Sequence, residues 1–403
     1  MKKRLLTLLP CLAILASGCS GGGGDETVTI NIWEDETNKE IVQKLADDFV
    51  TEYRQHYDGA PKIEVVITSQ SEQSAMEEMT RGISESGNGP DIAAVTHDTI
   101  ISGYHGKILA PASHADGLKY RMSEDAINAV TIEDEVYGYP ITAESTTIMY
   151  DSSKVTAEEL ASFDALLASG KKLSWNLTGD NGGYYTFGLL NDAVLFGKDG
   201  KKADEVSLAT DQSTQNVLDF FSKYGSCFID ETPEDAVASV SAGRTVGVVS
   251  SPYILSSMKK AVSSLKLTKL PEINGGDLRP FSGYKAYVVS RYSKNGAIAQ
   301  ELCNYLTSQD SNLYRLKKAG YLPALDLAKA DKEIREEILD SEQSTAFTVS
   351  LMNSIVMPNI SEMSNFWKPM NNAMTKFKNN ASSLTFDSVK ADLKAVENTL
   401  LGK

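Results

Sequence analysis

The chain has 403 residues, of which 41% are apolar, and carries a formal net charge of −15 at pH 7. This length accommodates two domains that each bury a core of their own. The acidic balance has no compensating basic run and argues against a nucleic-acid partner. After the N-terminal segment no apolar run is long enough to cross a bilayer, which argues against a transmembrane helix in the mature protein.

The N-terminus has the features of an export signal. A basic start at Lys2 to Arg4 precedes the apolar stretch from Leu5 to Leu15, which is too short for a membrane span. The following Leu-Ala-Ser-Gly-Cys ends at Cys19 and resembles the lipobox of bacterial lipoproteins, in which cleavage before the cysteine precedes its acylation. We therefore expect residues 1–18 to be a signal peptide and the glycine-rich residues 19–25 to be a lipid-anchored tether. Ordinary secretion with cleavage nearby is the alternative.

The first third of the mature chain alternates strands and helices. Strand patterns cover residues 27–33, 63–67 and 91–95, with helical apolar spacing between them. Such alternation is typical of a mostly parallel α/β sheet. Because ligands bind at the carboxyl ends of parallel strands, residues 33–37 and 96–99 are candidate site loops.

The middle and C-terminal parts continue the α/β alternation. Residues 138–150 are predicted as one long strand with Glu144 in its middle, and residues 206–224 as a helix. Other patterns predict a helix over 162–170 with Gly170 as its C-cap, a strand over 284–290 and mostly helix after Leu325. Since no single polar linker divides the chain, we expect two lobes that the chain crosses several times.

The segment Met357-Pro-Asn-Ile-Ser-Glu-Met-Ser-Asn-Phe-Trp367 is predicted to be a turn that leads into a helix. Ser364 or Asn365 would cap the helix, and Pro369 fits its first turn. Phe366, Met370, Met374 and Phe377 form one apolar face. Trp367 lies one position away from that face, where its flat apolar ring suits a sugar. A core tryptophan under a loop is an equally weighted alternative from this segment alone.

This segment also resembles the C-terminal ligand-binding segment of the maltose/maltodextrin-binding proteins, the extracellular receptors of ATP-driven sugar importers. In that family the corresponding tryptophan stacks on a glucose ring. The resemblance covers almost the whole mature chain and implies an α/β, two-lobed periplasmic-binding-protein fold with a multi-strand hinge and an interlobe cleft. It places hinges near residues 143–146, 282–286 and 340. The implied lobes are 26–143 plus 287–340, and 147–281 plus 341–403.

The resemblance also implies the residues that would contact a ligand. Asp98 and Glu144 match carboxylates that bind sugar hydroxyls in the family, although Glu144 is also open to a hinge salt bridge. The family places an Asp-Lys pair in its first-strand loop, where Glu36 is the acid we expect to be retained. Tyr184, rather than the adjacent tyrosine, resembles a stacking tyrosine, and Tyr253 matches a tryptophan platform.

Two positions depart from the family pattern. The first members of the family carry tryptophan three positions before the aspartate and arginine after it, where this chain has Val95 and Thr99. The loop before Tyr184 is longer than in the family, and the glutamate that the family places there has no clear counterpart. These departures weaken the case for tight maltose binding and favour a same-fold receptor for another oligosaccharide as the alternative.

Other chemistry has less support in the sequence. The sharpest rival hypothesis is that Asp98 and Glu144 are the catalytic pair of a glycoside hydrolase. No Ser-His-Asp pattern, G-x-S-x-G or P-loop is present, and His97 and His105 have no third metal ligand nearby in sequence. Cys227 and Cys303 are expected to be buried free thiols, with a disulfide left open.

The predicted function is therefore the capture of maltose/maltodextrin-type oligosaccharides in an interlobe cleft. The protein would deliver its ligand to the membrane subunits of an ABC permease at the extracellular face of the cytoplasmic membrane. We expect a monomer that is not an enzyme and uses neither a cofactor nor a metal. A surface glycoside hydrolase is the less favoured alternative.

Overall fold

The structure is a computed structural model that describes residues 27–57 and 59–403. The predicted signal peptide, the predicted lipid attachment at Cys19 and the tether lie outside these residues. Across the described ranges, no helix has both the length and the apolar character that a membrane crossing requires.

Strands and helices alternate along most of the chain. The strands are β1 (Thr27–Glu34), β2 (Lys62–Ser69), β3 (Ile92–Thr96), β4 (Leu109–Ala110), β5 (Thr131–Ile132), β6 (Glu135–Val136), β7 (Tyr139–Ser145), β8 (Thr147–Asp151), β9 (Leu173–Trp175), β10 (Val194–Leu195), β11 (Val206–Ser207), β12 (Phe228–Asp230), β13 (Gly247–Ser250), β14 (Leu265–Thr268), β15 (Phe281–Ser290) and β16 (Ile355–Val356). The helices are α1 (Lys39–His56), α2 (Glu72–Ser86), α3 (Ile100–His105), α4 (Ala115–Arg121), α5 (Glu124–Ala129), α6 (Phe163–Ser169), α7 (Gly182–Thr186), α8 (Asp211–Ser222), α9 (Pro233–Ser241), α10 (Leu255–Ala261), α11 (Gly296–Leu306), α12 (Gln309–Ala319), α13 (Lys332–Asp340), α14 (Glu342–Met352), α15 (Trp367–Asn379) and α16 (Phe386–Leu400).

The first sheet has the strand order β16-β15-β3-β1-β2, and β4 and β7 also pair with β15. β1 runs parallel to β2 and β3, whereas β15 runs antiparallel to β3 and β7. Ile30 and Ile32 of β1 and Leu45 and Phe49 of α1 are buried in the core of this lobe. The carboxyl ends of β1 and β3 therefore lead into the two predicted site loops.

The second sheet has the order β12-β9-β13-β8-β14. Its core is rich in aromatic rings: Trp175 of β9 lies 5.3 Å from Phe220 and 5.4 Å from Phe228, both nearly edge-on, and Phe163 lies within 6.1 Å of Trp175. Edge-to-face packing of this kind stabilises aromatic pairs beyond the area they bury.

The chain passes between the two sheets several times. Thr146 separates β7 of the first sheet from β8 of the second, and the chain returns between β14 and β15. Ser350 of α14 donates a hydrogen bond to the Thr146 carbonyl and so fastens this helix to the crossing. Helices α15 and α16 then pack against α7 and α8 beside the second sheet. The predicted two-lobed α/β architecture is confirmed, and the individual lobe boundaries and hinges stay predictions.

The prediction of one strand over residues 138–150 was wrong. β7 pairs with β15 in the first sheet, whereas β8 pairs with β13 and β14 in the second. Both halves have strand patterns, but the partner of each half is set by tertiary structure, and the chain leaves the first sheet at Thr146.

Two helix starts also differ from the predictions. Thr210 caps α8 by accepting a hydrogen bond from the Ser213 N–H at 3.1 Å, and Val206 and Ser207 before it pair with β10. At the C-terminus, neither Ser364 nor Asn365 caps α15, because both lie in a 3-10 turn that continues into the helix through Phe366.

Several local predictions are confirmed. Phe366, Met370, Met374 and Phe377 are all fully buried on one face of this C-terminal segment. Gly170 ends α6 with a φ of 67°, a left-handed conformation that glycine adopts without strain. Cys227 and Cys303 are buried free thiols, and burial raises the pKa of each.

Candidate ligand-binding site

An array of aromatic side chains lines the second lobe near the crossing strands. The rings of Tyr184 and Trp367 both contact the buried ring of Phe281, with centroid distances of 6.0 and 6.2 Å. Tyr184 and Trp367 are half-buried, so part of each ring remains accessible to a ligand. The structure thus brings together two aromatic residues that are separated by more than 180 positions in sequence.

The array continues through Tyr185 to Tyr253. Tyr185 meets Tyr184 edge-on at 5.1 Å, and its phenol lies near that of Tyr253, which is 46% exposed. Burial raises the pKa of Tyr184 and of Tyr253, so both phenols stay protonated and can donate hydrogen bonds. We call Tyr253, Tyr185, Tyr184, Phe281 and Trp367 the aromatic array.

Asn371 links the segment that carries Tyr184 to the helix that carries Trp367. Asn371 lies one turn after Trp367 in α15, accepts a hydrogen bond from the Gly183 N–H at 2.7 Å and donates one to the Asp180 carbonyl at 2.7 Å. The backbone that carries Tyr184 is thereby fastened to the helix that carries Trp367. Gly183 permits this close approach, because an added Cβ would lie 2.8 Å from Asn371 Oδ1 and 3.0 Å from Met370 Cγ.

Asp98 has an unsatisfied carboxylate oxygen. The residue lies in the 3-10 turn His97–Thr99 that follows β3, and its Oδ1 is buried without a hydrogen-bond partner among the described residues. A buried acceptor without a partner is costly, and native proteins rarely leave one unless a ligand or ordered water completes it.

The neighbouring His97 fixes the position of this turn. Its Nδ1 accepts a hydrogen bond from the Tyr284 N–H at 3.1 Å, so its Nε2 carries the proton and donates to the Met357 carbonyl at 2.9 Å. This buried, neutral imidazole joins β3, β15 and the segment that leads to Trp367.

Glu144 forms a salt bridge, the alternative role that the sequence left open. Its Oε1 lies 3.1 Å from Lys285 Nζ, and the same ammonium lies 2.6 Å from Glu72 Oε2. Among the described residues, Lys285 is the hydrogen-bonding or ion-pair partner that the structure gives to the Glu144 carboxylate. The role of Glu144 in sugar binding stays a prediction.

The three acidic residues at the end of β1 and in the loop after it have different roles. Glu34 is buried and accepts a hydrogen bond from the Tyr287 hydroxyl at 2.7 Å, while Asp35 caps the following turn through the Thr37 N–H. Glu36 is exposed and accepts a hydrogen bond from the Ser69 hydroxyl. Glu36 is consequently the acid of this loop with the most freedom to meet a ligand.

The two departures from the family pattern have structural roles in this chain. Val95 is fully buried in β3, where it pairs with Ala286 of β15. The Thr99 hydroxyl donates a hydrogen bond to the Thr96 carbonyl at 2.8 Å, within its own turn.

Sequence reasoning missed several residues that shape the site. Lys285, Glu72 and Asn371 carried no motif, and only their tertiary contacts reveal them. Buried hydroxyls without a hydrogen-bond partner among the described residues also lie on β7, β8 and β15, namely those of Thr142, Thr147 and Ser282. The described residues contain no cluster of three His, Cys, Asp or Glu side chains that could hold a metal.

Replacement of Gly183 by alanine tests the link between the two halves of the array. The added methyl group must displace Asn371 or Met370, so we expect a loss of about 1–3 kcal/mol in the free energy of unfolding. Chemical denaturation of the variant and of G225A, where an added Cβ meets nothing within 4 Å, measures the difference. Equal stability of G183A and wild type would contradict the close approach.

Replacement of Glu72 by glutamine tests the buried ion pairs. Burial raises the pKa of Glu72 to about 7, against the opposing effect of Lys285. The folded state then binds the proton more tightly than the unfolded state, so the free energy of unfolding falls as pH rises from about 4.5 to 7. E72Q should match wild type near pH 4.5 and exceed it by about 1–3 kcal/mol at pH 8. If the free energies of unfolding of wild type and E72Q change by the same amount from pH 5 to pH 8, this prediction is refuted.

Comparison with known proteins places these features in a family. Residues 44–339 match the profile of the bacterial extracellular solute-binding protein family. The chain is 24% identical to the maltooligosaccharide ABC transporter solute-binding lipoprotein of Streptococcus pneumoniae, over 92% of this chain and 88% of that protein. It is 25% identical to the galactooligosaccharide-binding protein of Bacillus subtilis, over 89% of this chain and 86% of that protein.

A solved structure supports the same assignment of the fold. The ligand-free maltodextrin-binding protein of L. casei aligns with a TM-score of 0.79 at 19% identity, over 93% of this chain and 99% of that chain. The similarity confirms the two-lobed solute-binding fold. Because the family profile matches well over half of the sequence, the protein belongs to the bacterial extracellular solute-binding protein family.

Proposed function

We propose that this protein is the ligand-binding lipoprotein of an ABC importer and that it captures maltodextrin-type, α-linked gluco-oligosaccharides between its lobes. The names of its relatives support this ligand class, since the pneumococcal relative is a maltooligosaccharide-binding lipoprotein. The bound, closed form would then be recognised by the membrane subunits of the permease.

The buried, unpaired Oδ1 of Asp98 is the observation that carries the proposal. A sugar hydroxyl that donates to this oxygen would remove the cost of leaving it without a partner, and a carboxylate binds hydroxyls strongly. His97 ties the same turn to Met357, ten residues before Trp367, so a ring held by Asp98 would lie near the segment that carries the tryptophan.

The remaining contacts follow from the chemistry of a sugar, which has apolar ring faces and a rim of hydroxyls. Tyr184, Tyr253 and Trp367 of the aromatic array would stack on ring faces. On the side of the first lobe, Glu36 and the second carboxylate oxygen of Glu144 would accept hydrogen bonds from sugar hydroxyls. A ligand held by both lobes binds the closed form more tightly than the open form and so shifts the population towards closure.

A different oligosaccharide remains a second candidate ligand. Val95 is buried and Thr99 bonds to its own turn, so neither offers the contacts that the family pattern places there. The galactooligosaccharide-binding relative shows that proteins of similar identity to this chain bind other sugars.

Three further parts of the proposal concern the membrane anchor, the oligomeric state and the absence of catalysis. We propose that acylated Cys19 anchors a monomeric protein to the outer face of the cytoplasmic membrane, and that the protein performs no chemistry on its ligand. Incubation with maltotetraose followed by chromatography would reveal products if Asp98 and Glu144 acted as a hydrolase pair, which would overturn the receptor assignment.

Calorimetric titration tests the ligand class directly. The protein without residues 1–19 is titrated with maltose, maltotriose, longer maltodextrins, raffinose, galacto-oligosaccharides and xylo-oligosaccharides. We expect binding to the α-glucans with a Kd of about 1 μM or tighter, typical of a specific site of this size. Binding to another sugar alone would retain the receptor role and refute the maltodextrin assignment.

Two substitutions test the assigned contacts. W367A should weaken binding by about 1–3 kcal/mol, because a large stacking side chain is removed, and D98N should weaken it by about 1–3 kcal/mol, because a charged acceptor is lost. Y292A is the control, since Tyr292 is an exposed aromatic residue just beyond the opposite end of β15. Unchanged affinity with lowered stability in W367A would identify Trp367 as a core residue.

A further inference from the structure

Lys285 holds two carboxylates at the junction of the lobes. Its Nζ lies 2.6 Å from Glu72 Oε2 and 3.1 Å from Glu144 Oε1, and 5.8 Å from the ring centroid of Tyr321. Lys285 lies two residues after Gly283, which pairs directly with Glu144 across β7 and β15. Side chains at this diagonal spacing lie on the same face of the sheet, so the strand pairing itself sets the contact.

The two carboxylates differ in access to solvent. The Glu144 side chain is 19% exposed and that of Glu72 is 8% exposed. Gly283 opposite Glu144 carries no side chain, so nothing on β15 covers Glu144 from that position. Glu144 is therefore the more accessible of the two carboxylates, and Lys285 lies between it and Glu72.

The charges of this group do not balance. Two carboxylates face one ammonium, which leaves one excess negative charge when all three are ionised. The other charged or titratable groups around the cavity next to Lys285 and Glu72 are Glu34, Tyr287, Arg315 and Tyr321. Glu34 accepts a hydrogen bond from the Tyr287 hydroxyl at 2.7 Å, and Arg315 donates one to the same hydroxyl at 3.2 Å. Glu34 and Arg315 are thus linked to each other through Tyr287, apart from the Lys285 ion pairs.

Little water reaches the centre of the group. The cavity that these side chains enclose has a volume of about 10 Å³, which holds at most one water molecule. The excess charge is therefore poorly solvated, and closure of the cleft over a ligand would remove still more solvent from it.

On the basis of the function proposed above, we propose that Lys285 is a positioning residue that orients Glu144 for sugar hydroxyls, and that Glu72 takes up a proton when the ligand binds. With Glu72 neutral, the Lys285 ammonium pairs with the Glu144 carboxylate alone, and the three side chains together carry no net charge. Burial already raises the pKa of Glu72 to about 7, with smaller contributions from Glu34 and Glu144 and against Lys285. Further desolvation by the ligand raises it again, so the affinity should fall as pH rises through 7.

Titration calorimetry at pH 6 and pH 8 tests this coupling, with the best-bound oligosaccharide of the panel above as the ligand. We expect the wild-type Kd to be about two- to fivefold weaker at pH 8 than at pH 6, as a shift of about half to one pKa unit from 7 requires. Repeating the titration at pH 7 in two buffers of different ionisation enthalpy measures the protons taken up. E72Q should bind equally at both pH values and take up none.

Variants of Lys285 test the positioning role. K285M should weaken binding about 10- to 100-fold at both pH values, whereas K285R should restore most of the affinity, because it keeps the cation. The double variant E72Q/K285M removes one buried charge of each sign and guards against misfolding of the single variant. It should also bind weakly. The matched control is K171M, which removes a half-exposed Lys–Glu pair of the second lobe at 2.7 Å and should leave affinity and pH dependence unchanged.

The outcomes separate this inference from the proposed function. If wild type binds an oligosaccharide but its Kd is the same at pH 6 and pH 8, the receptor role stands and proton uptake by Glu72 is refuted. If folded K285M binds as wild type does, the receptor role stands and the positioning role of Lys285 is refuted. If wild type binds none of the sugars, the proposed function fails and the inference fails with it.

Discussion

The antiparallel pairing of β7 with β15 aligns the centre of the candidate site. This pairing sets Gly283 opposite Glu144 and so brings Lys285 to its carboxylate. Phe281, at the start of the same strand, carries the contacts to Tyr184 and Trp367. A slip of one residue would turn one strand's side chains to the other face and separate the ion pairs. The backbone hydrogen bonds within the first sheet therefore also align the groups that we propose as ligand contacts.

His97 extends this constraint to the remaining carboxylate. A neutral imidazole that accepts from Tyr284 and donates to Met357 has both ring nitrogens satisfied, so it can be fully buried without a charge. It fixes the turn that carries Asp98 against β15, and it fixes the segment before Trp367 against the first sheet. An aromatic face and a carboxylate from distant parts of the sequence are thus held by one side chain.

The sequence predicts this structure best where local rules decide it. The buried face of α15 and the left-handed Gly170 follow from apolar spacing and backbone sterics, and both are as predicted. The residue pattern did not reveal the change of sheet at Thr146, because strand propensity is the same on either side of it and only the pairing partners differ; the hinge near residues 143–146 was expected from the family resemblance alone. Lys285 was missed for the same reason: its partners lie 141 and 213 positions earlier in the chain, and no local pattern links them. The candidate contacts such as Asp98 and Tyr184 came from family resemblance, not from spacing alone.

In the proposed binding mode, the two lobes would make different kinds of contact with the ligand. The aromatic array of the second lobe offers ring faces, which any pyranose can stack on with little discrimination. Selection among sugars requires polar groups whose loss of a partner is costly, and in this chain those belong mainly to the first lobe and the crossing strands: Asp98, Glu144 and the unpaired hydroxyls. With Val95 buried and Thr99 bonded within its own turn, neither offers the contact that the family pattern places there. In the proposed binding mode, the orientation of Glu144 by Lys285 would therefore be a larger part of what distinguishes one sugar from another.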